Sequence, residues 1–218
     1  MDSTLETIIG AALNAGAQVN ISLTPRNRAC DENGEVAAIN TRLAVAEGEN
    51  RAVITIDGTD IEYRLIPNRQ LITCVPTALW AEAMPFDTQG SNTWADSSIR
   101  RWLNETLYEK VETKWRERIQ PTRHGEATDL IWLPSEAETF GTAIFGDDEL
   151  ADHEIRLFDT KASRRLTDTD GDRRWWWTRS ARSGYTNLVP CVVTDGAADN
   201  NLASYTGGAA LPCFNIAR

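Results

Sequence analysis

The stretch Trp175-Trp176-Trp177-Thr178-Arg179-Ser180 decides the fold, because three adjacent tryptophans carry a large apolar area. Trp176 and Trp177 would face opposite sides of a strand, since side chains alternate along it. We predict that the rings pack in a core, with stacking on a ligand as the alternative, and that Arg179 is a buried hydrogen-bond donor. The eight tryptophans all lie between Trp80 and Trp177, which indicates one aromatic core.

The composition is that of a globular protein and disfavours nucleic acid as a partner. The 218 residues are 41% hydrophobic and 25% charged, and the formal net charge is −10. Phosphate binding requires an excess of Lys and Arg where the strand lies. The arginines between Arg164 and Arg182 are interspersed with Asp168, Asp170 and Asp172, so we expect these charges to pair with one another.

The sequence predicts no membrane insertion and no secretory signal peptide. No apolar run approaches the ~20 residues that cross a bilayer. Residues 1–14 contain acidic residues but no Lys or Arg, whereas a signal peptide begins with a positive region. We therefore expect a soluble protein.

The residues that most often carry catalysis or bind metal form no strong motif. Four cysteines are widely spaced and contain no C-x-x-C pair, so we interpret them as buried thiols, with disulfides as the alternative: Cys30, Cys74, Cys191 and Cys213. Neither His124 nor His153 belongs to a nucleophile motif. Asp168-Thr169-Asp170-Gly171-Asp172 has alternating carboxylates, but its glycine is fourth and Arg179 occupies the twelfth position, so an acidic turn is favoured over calcium. We predict no metal and no cofactor.

Local patterns predict helices and strands along most of the chain. Apolar spacing predicts helices over Thr4 to Asn14 and from Asp96 or Ser97 to about Tyr108, and Ser135 with Glu138 forms a capping box. Alternation around Asp57-Gly58 predicts a hairpin between residues 52 and 66. Further short strands are predicted at the following positions: Leu71 to Val75, Leu130 to Leu133, Leu188 to Thr194 and Leu211 to Ile216.

Three blocks of sequence, taken in order, resemble one known family. They are Trp94-Ala95-Asp96-Ser97-Ser98-Ile99-Arg100-Arg101-Trp102-Leu103-Asn104, Ile131-Trp132-Leu133-Pro134-Ser135-Glu136, and Trp176-Trp177-Thr178-Arg179-Ser180. The chain is similar to the C-type-lectin-like proteins of phage tails and to the variable proteins of diversity-generating retroelements, which are related to the formylglycine-generating fold. The ending Gly208 to Ile216 also matches, except that Leu211 replaces the family's arginine.

The resemblance implies an α+β, C-type-lectin-like fold. It consists of a small twisted antiparallel sheet with two main helices and long irregular loops. We expect residues 1–40 to form an N-terminal helix and extended arm, and residues 41–218 to form a ligand-binding domain with a variable segment at 178–218. The family's calcium-binding sugar motifs are missing, so sugar binding is not implied.

The final segment has an unusual composition that fits diversification. From Thr178 to Arg218 there is no Lys, Glu, Gln, Met or Trp. Retroelement mutagenesis randomises adenines, and an Asn codon treated in this way keeps its final pyrimidine and cannot encode those residues. Chance is the alternative. The candidate ligand-binding positions are Ser183, Tyr185, Asn187, Leu188, Pro190, Asp199, Asn200, Asn201, Leu202, Ser204, Tyr205, Leu211 and Phe214.

These observations predict a ligand-binding or receptor-binding protein without enzymatic activity. The expected partner is a macromolecule, either a protein or a cell-surface receptor. Residence in a phage tail, or in the cytoplasm before assembly, is implied by the resemblance, and a homo-oligomer is left open. The alternatives are a structural virion component and a cysteine oxidase that uses Cys191 and Cys213.

Overall fold

The computed structural model describes residues 44–46, 49–68, 71–147 and 155–217. It divides into two compact units, residues 1–52 and 53–218. The helix and arm predicted for residues 1–40 lie outside the described residues. In the first unit, strand β1 (Ala44–Ala46) pairs antiparallel with the beginning of strand β2 (Glu49–Ile56).

The first sheet of the second unit is antiparallel, and the end of the chain forms one of its inner strands. Its order is β2-β3-β4-β13-β6. The strands after β2 are β3 (Thr59–Asn68), β4 (Leu71–Pro76), β6 (Ile119–Gln120) and β13 (Phe214–Ala217). Asp57 and Gly58 connect β2 to β3 with φ angles of 51° and 76°, as a tight hairpin turn requires. The predicted hairpin and the strand at Leu71 are confirmed.

The second sheet has the order β11-β10-β9-β12-β5 and includes the tryptophan strand. Its strands are β5 (Trp80–Met84), β9 (Trp176–Trp177), β10 (Leu188–Val192), β11 (Ala198–Leu202) and β12 (Gly208–Ala210). Ala209 pairs with Trp176 in parallel, and the other pairings are antiparallel. A separate hairpin joins β7 (Thr122–His124) to β8 (Ala127–Asp129).

The helices are short, and those capped by Ser97 and Ser135 begin where the sequence predicts, whereas the helix Thr113–Arg116 was not predicted. Ser97 caps the first α-helix, and the helical path continues through one π segment. The α-helical segments are Ser98–Arg101, Tyr108–Lys110, Thr113–Arg116 and Glu136–Phe140, and the π segment is Trp102–Leu107. The capping box of Ser135 and Glu138 is present. The helix predicted from Ser97 is thus confirmed, whereas the strand predicted for Leu130 to Leu133 is reduced to one bridge between Trp132 and Cys213.

The predicted fold class, α+β with two main helices, is wrong. Strands form 40% of the structure and helices 18%, and the strands belong to curled antiparallel sheets. Many of these strands are only two to five residues long. Such short strands give little periodicity in the sequence, and their partners lie far along the chain, so the sheet content was underestimated.

The tryptophan strand is the centre of the second sheet. Trp176 and Trp177 are both fully buried, so the prediction of core packing is confirmed for them. The indole Nε1 of Trp177 donates to the carbonyl oxygen of Met84 at 2.9 Å. A Cβ at Gly208 would lie 2.2 Å from that same Nε1, so only glycine fits beside the ring.

Buried hydrogen bonds join the three sequence blocks. The side chain of Asn104 donates to Ile131 O and accepts from Leu130 N, at 2.9 and 2.7 Å. Arg179, which is 5% exposed, donates to Leu133 O at 3.0 Å and to the Glu138 carboxylate. The prediction of a buried structural role for Arg179 is confirmed. The three blocks are therefore joined into one scaffold.

Candidate functional site

Of the five large apolar side chains exposed among the described residues, three follow Thr178 in the sequence, and the other two are Val53 and Ile144. Among the described residues, the exposed ones include Tyr185 at 51%, Leu202 at 47% and Tyr205 at 52%. All three follow Thr178, in the segment whose composition is unusual. We call Tyr185, Leu202 and Tyr205, with the side chains around them, the tyrosine surface.

The structure places the candidate positions in three groups. The exposed ones are Ser183, Tyr185, Asn187, Asp199, Leu202, Ser204 and Tyr205. Leu188, Asn200 and Asn201 are half-buried. The remaining three, Pro190, Leu211 and Phe214, are buried.

Surface placement was therefore wrong for Pro190, Leu211 and Phe214. Pro190 lies in β10, and its carbonyl oxygen accepts from the backbone and side chain of Thr178. Phe214 lies in β13 between two other strands, and its ring packs 5.2 Å from that of Tyr63. Pro190 and Phe214 are in inner strands, and the fully buried Leu211 lies between β12 and β13.

A stacked arginine supports the ring of Tyr185. The guanidinium of Arg182 lies 4.4 Å from the centroid of Tyr185 and 5.5 Å from that of Phe145. Nη1 of Arg182 also donates to Oδ1 of Asn200 at 2.6 Å. Arg182 thus connects the loop of Tyr185 to strand β11, and it holds an exposed ring in one orientation.

Asn92 holds the backbone of the same loop from beneath. This buried side chain donates through Nδ2 to the carbonyl oxygens of Tyr185 and Leu188, at 2.7 and 3.1 Å. Its own backbone N–H donates to Thr186 O at 2.9 Å. The exposed loop therefore rests on fixed hydrogen bonds.

Asp87 organises the loop that contains Asn92. Its carboxylate accepts from the backbone N–H groups of Gln89, Ser91 and Ser98, at 3.0 to 3.1 Å. Burial tends to raise the pKa of Asp87, but the hydrogen bonds from Ser91, Ser98 and Gln89 outweigh it and lower that pKa. The backbone N–H of Asp87 donates to Ala203 O, so this loop also supports the end of β11.

A second buried carboxylate fixes the loop beside Arg182. Glu136 is 1% exposed and accepts from the backbone N–H groups of Phe145 and Gly146, at 3.1 and 2.7 Å. Its own N–H donates to Oγ of Ser180 at 2.9 Å. Sequence analysis did not identify Asp87, Asn92, Glu136 or Arg182 as part of the site. The partners of Asn92 are 93 and 96 positions away, and the nearer partners of the other three lie in irregular loops without a periodic pattern.

The ring of Tyr205 rests on the tryptophan strand. It lies 5.9 Å from the ring of Trp175, which in turn meets Trp177 edge-on at 4.7 Å. The backbone N–H of Tyr205 donates to Leu202 O at 2.9 Å, which forms a tight turn at the end of β11. The tyrosine surface is thus continuous with the buried core.

Residues 77–218 match a protein family described as a domain of unknown function, DUF6273. The chain belongs to the DUF6273 family. No curated protein and no solved structure matches it. In the described part of this DUF6273 protein, no helix is long and apolar enough to cross a membrane.

The described cysteines of this DUF6273 protein are buried thiols. Cys74, Cys191 and Cys213 are unpaired and at most 2% exposed, and Cys30 lies outside the described residues. Burial raises the pKa of Cys191 to about 12, and it also raises the pKa of Cys213. Thiolate chemistry is disfavoured at both, because the thiolate is the reactive form.

The acidic turn of the DUF6273 domain is held by protein donors. The Asp168 side chain is fully buried, and Oδ1 accepts from the backbone N–H groups of Asp170 and Asp172 at 3.0 and 2.9 Å. Its Oδ2 is paired with Nε of Arg174. Calcium coordination is disfavoured because this carboxylate is already used.

The arginine-rich stretch pairs less with its own aspartates than predicted. Arg174 follows the prediction, whereas Arg164 donates to Gly196 O at 3.0 Å and lies 4.7 Å over the ring of Phe140. Arg179 and Arg182 likewise have partners elsewhere, described above. Mutual pairing was thus wrong for three of the six arginines, Arg164, Arg179 and Arg182.

Proposed function

We propose that this protein binds a macromolecular ligand, a protein or a cell-surface receptor, through the tyrosine surface. The observation that carries the proposal is the exposure of Tyr185, Leu202 and Tyr205 to about half their areas on a framework fixed by buried polar residues. Burial of exposed aromatic and aliphatic side chains is a main source of binding free energy. Tyrosine is well suited because it offers a large area with few rotatable bonds.

The neighbours of the tyrosine surface provide a polar rim. Ser183, Asn187, Asp199 and Ser204 are exposed around the apolar side chains, and Asn200 and Asn201 are half-buried. Interfaces commonly combine an apolar centre with polar groups that bind water or the partner.

The resemblance to phage tail proteins and variable proteins supports a recognition role, and so does the composition of residues 178–218. On this proposal the residues at exposed positions differ between variants of the protein, while the residues at buried positions stay constant. The protein is incorporated into a phage particle or remains in the cytoplasm before assembly.

The proposal can be tested at the DNA level and by binding. A nearby imperfect repeat of the 3′ coding region that differs at adenines would support diversification. Its differences should fall in codons of exposed residues such as Tyr185 and Tyr205, and not in those of Leu211 or Phe214. Differences spread equally over buried and exposed codons would contradict the proposal.

For binding, the fluorescently labelled chain is applied to a panel of bacterial cells. The triple variant Y185A/L202A/Y205A should lose retention on any strain that retains the wild type. V53A is the matched control, because Val53 is 57% exposed and lies on the other sheet. Equal retention of the triple variant, or failure of the wild type on every strain, would count against the tyrosine surface.

A structural role in the virion is the second candidate. Strand β11 lies at the edge of the second sheet, and an edge strand presents unpaired backbone groups that can pair with another chain. A homo-oligomer formed in this way would cover Leu202. Sedimentation of the wild type and of an A198P variant, whose proline replaces a residue with its N–H directed away from β10, would separate this role from ligand recognition.

A further inference from the structure

A small pocket lies away from the tyrosine surface, around His124. Its volume is about 70 Å³. Since one water needs roughly 10–15 Å³, the pocket has room for several waters or a ligand of a few non-hydrogen atoms. His124 and Trp132 both line it, and their ring centroids are 5.0 Å apart.

The hydrogen bonds of Asp129 determine which nitrogen of His124 carries the proton. Asp129 is fully buried and accepts from Nε1 of Trp94 at 2.9 Å and from Nε of Arg100 at 2.5 Å. Its Oδ2 also contacts Nδ1 of His124 at 2.9 Å. A carboxylate held by these donors is ionised and only accepts, so Nδ1 of a neutral His124 donates to it. Nε2 is then an acceptor, and it has no hydrogen-bond partner among the described residues.

Trp132 lines the same pocket and carries a donor without a partner. The residue is 2% exposed, and its Nε1 is buried without a hydrogen-bond partner in the described ranges. A buried N–H without an acceptor is costly in free energy, which favours any ligand that supplies one. Two residues that line the pocket therefore carry an unpartnered donor, Trp132 Nε1, and an unpartnered acceptor, His124 Nε2, on neighbouring rings.

The charges around the pocket favour an acidic ligand. Arg123 lines it, and no carboxylate within the described residues is paired with this guanidinium. Arg179 and Glu138 also line it and neutralise each other as an ion pair. Buried Leu157 adds an apolar wall.

We propose that this pocket binds a small free carboxylic acid, with Trp132 Nε1 donating to one carboxyl oxygen and a proton shared between the other oxygen and Nε2 of His124. Arg123 attracts the acid, and Leu157 contacts its short carbon chain. The volume excludes a peptide, so a free acid of about two to four carbons is the ligand class. The site is independent of the proposed function, because none of its residues belongs to the tyrosine surface.

The test uses the whole chain labelled with ¹⁵N at its tryptophan indoles, titrated with sodium propionate against sodium chloride at equal ionic strength. The variants W132F and W115F each remove one of the eight indole signals and so assign it. Propionate should move the Trp132 signal downfield to saturation and leave the Trp115 signal in place. An unmoved Trp132 signal, or chloride producing the same shift, would overturn the proposal.

W115F is also the matched control for affinity. Trp115 is 2% exposed and its Nε1 is likewise buried without a partner, but it does not line the pocket. By calorimetry, W132F should bind propionate about tenfold more weakly, the equivalent of about 1.4 kcal/mol, and W115F should bind as the wild type does. Equal affinity of W132F and the wild type would refute the assignment, and the wild-type titration decides the matter if W132F does not fold.

The shared proton gives a separate signature. Burial is the main cause that lowers the pKa of His124, and Arg179 acts in the same direction, whereas Asp129 and Glu138 oppose both. Near pH 7 both His124 and propionate therefore lack the proton. Binding should then take up about one proton per ligand. Calorimetry in buffers of different ionisation enthalpy measures this uptake. Propionamide carries its own N–H donor and should bind without uptake. Binding of propionate without proton uptake would contradict the shared proton, and so would proton uptake that persists in H124Q.

Discussion

The side-chain nitrogen of Asn92 donates a 2.7 Å hydrogen bond to the carbonyl oxygen of Tyr185, which lies 93 positions later in the chain. Tyr185 is half exposed, whereas Asn92 is 6% exposed. A buried residue therefore controls the position of an exposed one. This relationship explains how a loop at the surface can differ in its side chains and keep its backbone path.

Replacing Asn92 should destabilise the loop that carries Tyr185. N92A leaves the carbonyl oxygens of Tyr185 and Leu188 without their donor, so we expect a loss of about 1–3 kcal/mol in the free energy of unfolding. Amide exchange should accelerate in residues 182–188. Chemical denaturation and hydrogen exchange measure both effects. T93A is the control, since Thr93 is exposed, and similar losses in the two variants would show that Asn92 has no special role.

Substitutions in the tyrosine surface and substitutions in the buried core should differ in their effect on stability. Y185A and Y205A should each change the free energy of unfolding by less than about 0.5–1 kcal/mol, since both rings are half exposed. W177A should cost roughly 3–5 kcal/mol because Trp177 is fully buried. Thermal and urea unfolding provide the comparison. Comparable losses for the tyrosines and the tryptophan would remove the distinction between surface and scaffold.

The close approach of Gly208 to Trp177 makes a small substitution disruptive. In G208A the new Cβ would overlap the indole, which must move and lose its bond to Met84 O. We expect destabilisation of about 1–3 kcal/mol, the usual range for overpacking. The double variant G208A/W177F should recover part of this loss. If G208A is as stable as the wild type, the packing described here is incorrect.

Acid should loosen the loop that supports the tyrosine surface. Because the pKa of Asp87 is lower in the folded than in the unfolded state, its hydrogen bonds stabilise the fold above the ordinary aspartate pKa of about 4. That contribution is lost as the pH falls from about 4 through the lowered pKa. D87N should be less stable than the wild type at pH 6, and the difference should shrink towards pH 2. Denaturation across this range measures it, with exposed D96N as the control, and a difference independent of pH would contradict the prediction.

The sequence by itself determined the elements that depend on neighbouring residues. The hairpin at Asp57-Gly58, the cap at Ser97 and the capping box of Ser135 and Glu138 all follow from short-range geometry. Burial of Trp176 and Trp177 also followed from their size and apolar character. These features need no knowledge of distant partners.

Only the tertiary structure decided the sheet partners and which side chains of the C-terminal segment reach solvent. Tyr205 and Phe214 are both aromatic and nine positions apart, yet one is half exposed and the other fully buried. Phe214 lies in a strand with a neighbour on each side, and Tyr205 lies in the turn after an edge strand. The difference depends on pairing between segments far apart in the chain, and such pairing leaves no local pattern. His124, Asp129 and Trp132 lie within nine positions of one another, yet their meeting depends on the turn between β7 and β8, which the sequence analysis did not predict.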